Sequence, residues 1–203
     1  MNILHIDCSP RTGSLSRRLS AAVVAHLCEA TSQASVSRRD LGHAPIPHID
    51  DEYMQRLLAL QVQPHPAMAL SDELIAELAH ADVLVIGTPM ANLGVPSVFK
   101  AWIDQVMRVG RTIGRSPDGQ KIGLLRDRPV YIAIAAGGHF SGQLANQPDF
   151  LTPYVRAAFA SIGLHSLHFL ALQGTARLDA EQLREAEQQL LASLAHAMTG
   201  EVS

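Results

Sequence analysis

The chain lacks the features that mark several large classes of protein. Only two of its 203 residues are cysteine, Cys8 and Cys28, and they form no C-x-x-C pattern, so neither a disulfide framework nor a zinc site is predicted. No apolar run reaches the roughly 18 residues that a membrane-spanning helix needs. The N-terminus shows no basic region, apolar signal core or cleavage site. We therefore expect a cytoplasmic protein without a membrane segment.

Charge and histidine content argue against two further kinds of function. The net charge is −3, and the scattered Lys and Arg residues form no basic patch for nucleic acid. There is also no acidic tract of the kind that one-electron carriers use to dock partners. Eight of the ten histidines are candidate metal ligands by residue type, namely His5, His26, His43, His48, His65, His80, His165 and His168. None is paired with carboxylates at a ligand spacing, so no metal site is expected.

What the chain does contain is an apolar, β-branched run at Val83–Ile86 that leads into a polar loop and then a helix. Such a run is typical of a parallel strand covered on both faces. Residues 88–94 break the pattern with Pro, Asn and Gly, and Pro96 suits a first helical position. The helix that follows carries apolar residues at i, i+3, i+4 and i+7, including Trp102, which we expect in the core.

A second loop of the same kind follows a short strand at residues 3–7. Between Ser9 and Ser16 it holds three serines, a threonine, a glycine and an arginine. Ser14 or Ser16 is a candidate N-cap for a helix that runs to about residue 30. Free amides and hydroxyls at a helix N-terminus, with Arg11 as a counter-charge, predict a phosphate site. The loop has neither a P-loop nor a G-x-G-x-x-G pattern, which favours a phosphate monoester over a pyrophosphate.

Elsewhere, short apolar strands alternate with amphipathic helices. The predicted strands lie at residues 36–41, 130–135 and 165–171, and the predicted helices at 51–60, from a cap at Ser71 towards residue 80, at 152–162 and at 179–198. The charges of Arg38, Arg39 and Asp40 indicate an edge strand. The segment 110–128 shows no clear periodicity, so we expect a long loop there rather than a regular element.

This alternation predicts a doubly wound α/β fold in one domain over residues 1–203. Right-handed crossovers restrict the topology, and the expected five-stranded parallel sheet has the order 2-1-3-4-5. A ligand should then bind at the carboxyl ends of strands one, three and four. The loops at those ends are the two described above and the segment with Gly137 and Gly138, where glycine permits close approach of a ligand to the backbone.

At these loops the chain resembles the FMN-dependent NADH-azoreductases, which are also NAD(P)H:quinone reductases of flavodoxin-like fold. The motifs that carry the resemblance are Ser9-Pro10-Arg11-x4-Ser16-Arg17-x-Leu19-Ser20, Pro89-Met90-x-Asn92-x-Gly94-Val95-Pro96 followed by Phe99 to Val106, Arg108-Val109-Gly110-Arg111-Thr112, Gly137-Gly138, Leu151-Thr152-Pro153-Tyr154 and Ile162-Gly163. They span nearly the whole chain in the family's order, and the second is too long to arise readily by chance.

The resemblance implies FMN as cofactor, NADH or NADPH as electron donor and a quinone or azo compound as acceptor. In its ping-pong scheme the nicotinamide delivers hydride to flavin N5 and leaves before the acceptor binds, so no side chain acts as a nucleophile. The residues it implies are Ser9, Ser14, Leu15 and Ser16 around the phosphate, Met90, Ala91, Asn92 and Leu93 around the flavin ring, and Ala135, Ala136, Gly137 and Gly138 on its pyrimidine side. It also implies a homodimer in which the second subunit completes each pocket.

The chain departs from the family pattern at three places around this pocket. Ala91 stands where relatives commonly have Tyr, Ala135-Ala136 replaces a Ser-Arg pair, and Ser161 stands where an aromatic residue often faces the substrate. Each change removes bulk or a polar contact, so a wider pocket is expected. His139 and Phe140 follow the glycines and are candidates for a polar or stacking contact with the substrate.

Other interpretations remain open from the sequence. The same fold could serve as a non-catalytic FMN-binding electron carrier or redox-sensing module, whereas an esterase-like hydrolase is disfavoured because no G-x-S-x-G elbow is present. Cys8 lies beside the phosphate loop, but the Cys-x5-Arg phosphatase pattern fails because residue 14 is Ser14. A structural role is therefore expected for Cys8. Singly, Met90 could be loop packing and Asn92 an Asx turn.

Overall fold

Strands and helices alternate along the chain in the computed structural model, which describes residues 1–31, 33–59 and 64–200. The strands are β1 (Asn2–Asp7), β2 (Ser35–Asp40), β3 (Val83–Pro89), β4 (Ile113–Arg115), β5 (Lys121–Gly123), β6 (Val130–Ala135) and β7 (Leu167–Leu172). The helices are α1 (Leu15–Glu29), α2 (Asp51–Leu58), α3 (Ala69–His80), α4 (Ser97–Val106), α5 (Thr152–Ala160) and α6 (Ala180–Gly200). A short 3₁₀ turn, Pro66–Met68, precedes α3.

The main sheet has five parallel strands in the order β2-β1-β3-β6-β7. Counted along the five strands of this sheet, that is the predicted order 2-1-3-4-5, which is confirmed. The central strand β3 is buried from Val83 to Thr88, as a continuous apolar run requires when both faces are covered. The charged strand β2 lies at an edge of the sheet, as its sequence predicts.

Two apolar clusters lie on the two faces of the sheet. One packs α3, α4 and α5 against the strands around Phe99, Trp102 and Phe159, whose ring centroids are 6.0 to 6.5 Å apart. The expectation that Trp102 belongs to the core is confirmed, since it is fully buried. The other cluster packs α1 and α6 against the opposite face through residues such as Val23 and Leu194.

One helix prediction differs from the structure. Ser71 does not cap α3, because the 3₁₀ turn leads directly into a helix that begins at Ala69. The Ser71 hydroxyl instead donates to the carbonyl of Gln105, 2.6 Å away, and so ties α3 to the end of α4. The predicted end of α2 at residue 60 lies outside the described residues. No helix in the described part of the chain is long and apolar enough to cross a bilayer.

The segment 110–128 is not the loop that the sequence predicts, because β4 and β5 pair there as an antiparallel hairpin. Each strand has only three residues, too few for an alternation of period two to show in the sequence. The hairpin also packs closely against the rest of the protein. A Cβ atom at Gly123 would lie 1.9 Å from the backbone nitrogen of Gly163, so the two backbones meet where only glycine fits.

Candidate cofactor site

Three loops meet at the carboxyl ends of β1, β3 and β6, as the strand order predicts. Register brings these ends together, since Asp7 lies opposite Gly87, and Pro89 lies opposite Ala135. The amide of Met90 donates to the carbonyl of Ala135 at 2.9 Å, which fixes the loop after β3 to the end of β6. The site is therefore assembled by sheet pairing rather than by contacts among the loops alone.

The loop between β1 and α1 is lined by buried hydroxyls. Ser9, Ser14 and Ser16 are 3%, 7% and 0% exposed. Ser14 occupies the N-cap position with an extended backbone, as predicted, but its hydroxyl does not accept from a first-turn amide. It lies 3.0 Å from the hydroxyl of Ser16 instead. The first amides of α1 have no intrahelical acceptor in any case, so they can donate to a ligand at this end of the helix.

This donor set fits a phosphate monoester. A helix N-terminus favours a negative charge, and the buried hydroxyls add neutral donors. The start of α1 approaches β3 at Gly87, where a Cβ would lie 2.8 Å from the carbonyl oxygen of Ser16. Of the other residues assigned to this loop, Leu15 packs its side chain on the α1 side of the sheet, and Arg11 is exposed.

The loop after β3 contains a tight turn with an uncommon backbone. Asn92 and Leu93 have φ values of 46° and 73°, and they are the non-glycine residues with positive φ in the described chain. Left-handed conformations suit Asn better than a bulky residue such as Leu. Asn92 is therefore part of a two-residue hairpin turn between Ala91 and Gly94. Strain of this kind is concentrated at ligand sites in proteins.

Cavities lie on both sides of this turn. One, of about 500 Å³, is lined by Met90, Asn92, Leu93, Gly137, Gly138 and Gln147. The other, of about 520 Å³, is lined by Cys8, Pro10, Gly42, Pro89, Ala91, Asn92, Val95, Pro96, Ser97 and Val98. Both volumes are in the range of small-molecule sites. Asn92 borders both cavities, so a ligand that extends from the serine-lined loop to the glycine pair would pass this turn.

Four residues assigned to the pocket from the sequence, Ala136, His139, Phe140 and Ser161, do not line either of these two cavities. Ala136 is buried, and its amide donates to the carbonyl of Leu172 at 2.9 Å. Phe140 is 7% exposed and packs in the apolar core. Ser161 ends α5, where its hydroxyl donates to the carbonyl of Ala158. The ring of His139 covers Gly174, where a Cβ would lie 2.3 Å from Nε2.

No pattern in the sequence predicts that Gln147 lines a cavity. Its side-chain amide donates to the sulfur of Met90 at 3.3 Å. Its segment is anchored at Phe150, whose amide donates to the carbonyl of Leu93 at 3.1 Å. No periodicity or motif in residues 141–150 marks this position. Nor does the sequence predict that Arg17, which stands in the first motif, donates to the carbonyl of Ser9.

The described cysteine and histidine side chains near this loop are not arranged as a nucleophile or as a metal site. Burial, with the nearby charge of Asp7, raises the pKa of the Cys8 thiol, so the thiol stays protonated at neutral pH. His5 Nε2 lies 3.0 Å from the hydroxyl of Ser20, which donates to Asp7, but this grouping is buried beneath the loop. Within residues 1–31, 33–59 and 64–200, no group of three His, Cys, Asp or Glu side chains could share a metal ion.

A family model described as flavodoxin-like fold matches residues 1–194. The chain belongs to the flavodoxin-like family. Among similar sequences, FMN-dependent NADH:quinone oxidoreductase 5 of Burkholderia lata is 43% identical over 180 residues, or 88% of each chain. FMN-dependent NADH:quinone oxidoreductase 4 of Pseudomonas fluorescens is 41% identical over 174 residues, or 85% of this chain and 84% of the relative. The resemblance inferred from the motifs is thereby confirmed.

Solved structures agree with the flavodoxin-like fold. An azoreductase from Bacillus anthracis superposes with a TM-score of 0.83 at 23% identity, covering 97% of this chain and 98% of that one. A second, an FMN-dependent NADH-azoreductase from Bacillus anthracis in complex with FMN, superposes with a TM-score of 0.80 at 22% identity over the same shares. Identities this low support the fold alone, whereas the sequence relatives bear on function.

Proposed function

We propose that this protein is an FMN-dependent NAD(P)H oxidoreductase that reduces quinones and azo compounds, formed by one flavodoxin-like domain over residues 1–203. The observation that carries the proposal is the meeting of three loops at the carboxyl ends of β1, β3 and β6. The first carries the buried hydroxyls of Ser9, Ser14 and Ser16, and the other two line a cavity of about 500 Å³. The names of the relatives at 43% and 41% identity support the same activity.

The residues divide into two groups by what they would hold. Ser9, Ser14 and Ser16, with the first amides of α1, would bind the FMN phosphate. The turn at Asn92 and Leu93, with Met90, Gly137 and Gly138, would lie along the flavin ring. Bound FMN would supply the two-electron chemistry, accepting hydride at N5 from the nicotinamide and passing it to the acceptor in a ping-pong sequence.

The protein's own contribution is placement and protection. Backbone amides held in a rigid turn can donate to a ligand without reorganising, which strengthens their interaction with charge on the ligand. The protonated, buried thiol of Cys8 presents no competing nucleophile. The small side chains of Ala91 and Ala135 leave room beside the ring, so a broad range of acceptors is expected.

We further propose that the protein works as a homodimer in the cytoplasm. Three apolar side chains on and beside the β4–β5 hairpin are exposed, Val109 at 50%, Ile122 at 40% and Leu124 at 47%. Clustered apolar side chains on a surface often mark an interface. Sedimentation equilibrium tests this directly, and a monomer at all concentrations would remove the dimer from the proposal.

The decisive experiment separates an enzyme from a carrier or sensor. Purified protein is mixed with FMN, unbound FMN is removed, and the visible spectrum is recorded before and after anaerobic NADH, then after a quinone. Retained flavin that bleaches with NADH and recovers with quinone is the expected result. Bound flavin that neither NADH nor NADPH reduces would instead favour a non-catalytic carrier or redox-sensing module. Absence of bound flavin would contradict the proposal altogether.

A further inference from the structure

Arg17 is buried beneath the serine-lined loop and bonds to its backbone. The residue is 7% exposed and lies in the first turn of α1. Its guanidinium donates to the carbonyl oxygen of Ser9 twice, from Nε at 2.8 Å and from Nη2 at 2.5 Å. The buried side chain of Arg17 therefore binds the loop through the backbone carbonyl of Ser9, the first serine of the loop.

The remaining donors of Arg17 are directed at two carboxylates. Nη1 and Nη2 donate to the two oxygens of Asp40 at 2.8 and 2.5 Å. Nη1 also lies 3.4 Å from the carboxylate of Asp7, which is fully buried. A planar guanidinium offers five N–H donors in a fixed fork, and here every nitrogen already has a protein acceptor. Arg17 is thus not arranged to serve as the counter-charge of a phosphate.

The Ser9 carbonyl is confined from another direction by Gly42. A Cβ at Gly42 would lie 2.0 Å from the carbonyl oxygen of Ser9 and 2.8 Å from Nη2 of Arg17. The amide of Gly42 donates to the carbonyl of Asp7 at 3.1 Å, so this close approach is fixed to β1. The carbonyl has no room to turn while both contacts persist.

We propose that Arg17 is a positioning residue that sets the phosphate affinity of the loop by holding the Ser9 carbonyl, without touching the phosphate itself. The inference rests on the proposed FMN site. A released carbonyl could rotate and direct its oxygen at the bound anion, which would oppose the dipole of α1. Loss of the hydrogen bonds from the Arg17 guanidinium should therefore weaken the binding of a phosphorylated flavin much more than that of a flavin without phosphate.

The test compares FMN with riboflavin, which lacks the phosphate. Dissociation constants for both are measured by flavin fluorescence quenching on the wild type and on Arg17→Lys, Asp40→Asn and Arg38→Lys. Lysine keeps the charge of Arg17 but cannot hold Ser9 and Asp40 together. Arg38→Lys is the matched control, because Arg38 pairs with the same two carboxylates, Asp7 at 2.6 Å and Asp40 at 3.8 Å, but makes no bond to Ser9.

Arg17→Lys is expected to raise the Kd for FMN by roughly tenfold, the scale of one lost charged hydrogen bond, while the Kd for riboflavin stays within about twofold. Asp40→Asn should give a smaller change of the same kind, and Arg38→Lys should leave both constants near the wild-type values. Should Arg17→Lys fail to fold, as judged by circular dichroism, the FMN-to-riboflavin ratio of Asp40→Asn decides.

Two results would overturn the inference. One is equal weakening of FMN and riboflavin, which would make Arg17 a general structural residue, and the other is an unchanged FMN constant in folded Arg17→Lys. Wild-type protein that binds neither flavin would be a different failure, because it would remove the proposed function before any variant is compared.

Discussion

The backbones of Ala91 and Gly94 exchange two hydrogen bonds, Ala91 N–H to Gly94 carbonyl at 2.9 Å and Gly94 N–H to Ala91 carbonyl at 3.0 Å. This reciprocal pair closes a two-residue turn and forces Asn92 and Leu93 into left-handed conformations. The turn separates the two cavities, so its stability decides how firmly the site is preformed.

The positive φ of Leu93 predicts that this turn is sensitive to the shape of the side chain at position 93. Leu93→Val should lower the free energy of unfolding by roughly 1 to 2 kcal/mol, because a β-branched residue tolerates positive φ poorly. Gly94→Ala is the matched control and should change stability by less than about 0.5 kcal/mol, since its φ is not positive and a Cβ there meets nothing within 4 Å. Urea unfolding measures both. Equal stability of Leu93→Val and wild type would contradict the left-handed turn.

A negative charge at position 16 is expected to disrupt the proposed phosphate site. Ser16→Asp places a carboxylate among the buried hydroxyls, where it would repel a phosphate dianion, so the purified protein should retain little FMN. A carboxylate at a helix N-terminus is not itself unfavourable, and the variant is expected to fold. Thr12→Asp adds the same charge at an exposed position of the loop and should retain FMN. Normal flavin content in folded Ser16→Asp would place the phosphate elsewhere.

The size of the side chain at position 91 is expected to set the width of the proposed pocket. Ala91→Tyr adds bulk beside the proposed flavin site and should shift relative rates from bulky to slender acceptors. Steady-state kcat/KM across a size series of quinones measures the shift, with FMN content determined for each preparation. Relative rates that do not change with acceptor size would show that pocket width is not what this position controls.

Asp40 predicts a pH dependence of stability. The Arg17 guanidinium holds the pKa of Asp40 well below its ordinary value of 3.8, against the opposing effect of burial. A depressed folded-state pKa gives stability that is present above the ordinary value and is lost as the pH falls towards the folded value. Asp40→Asn should therefore be less stable than wild type near neutral pH, by about 1 kcal/mol for a partly exposed pair.

The difference between wild type and Asp40→Asn should shrink as the pH is lowered below about 4. Urea unfolding of both proteins at a series of pH values gives this difference. A gap that stays constant from about pH 7 to about pH 3 would show that the ionised carboxylate of Asp40 is not what stabilises the native state.

The main sheet and the edge at which its loops meet could be predicted from the sequence because their signals are local. An apolar, β-branched run such as Val83–Ile86 can only be buried on both faces, and a polar loop that ends at a helix N-terminus can only offer free amides. The β4–β5 hairpin could not be predicted, since three-residue strands leave no period. The helix cap predicted at Ser71 was wrong for a related reason. A serine before an apolar run has the same local pattern as a cap, whether or not a preceding turn has already begun the helix.

The sequence by itself therefore determined the order of strands, the sheet edge at which the three loops meet and the hydroxyl-rich composition of the loop at Ser9–Ser16. Tertiary structure alone decided which distant side chains complete that edge. Gln147 reaches Met90 across 57 positions, and Arg17 meets Asp40 across 23. Contacts of this kind depend on how strands and helices are placed in space, and no local pattern of residues encodes that placement.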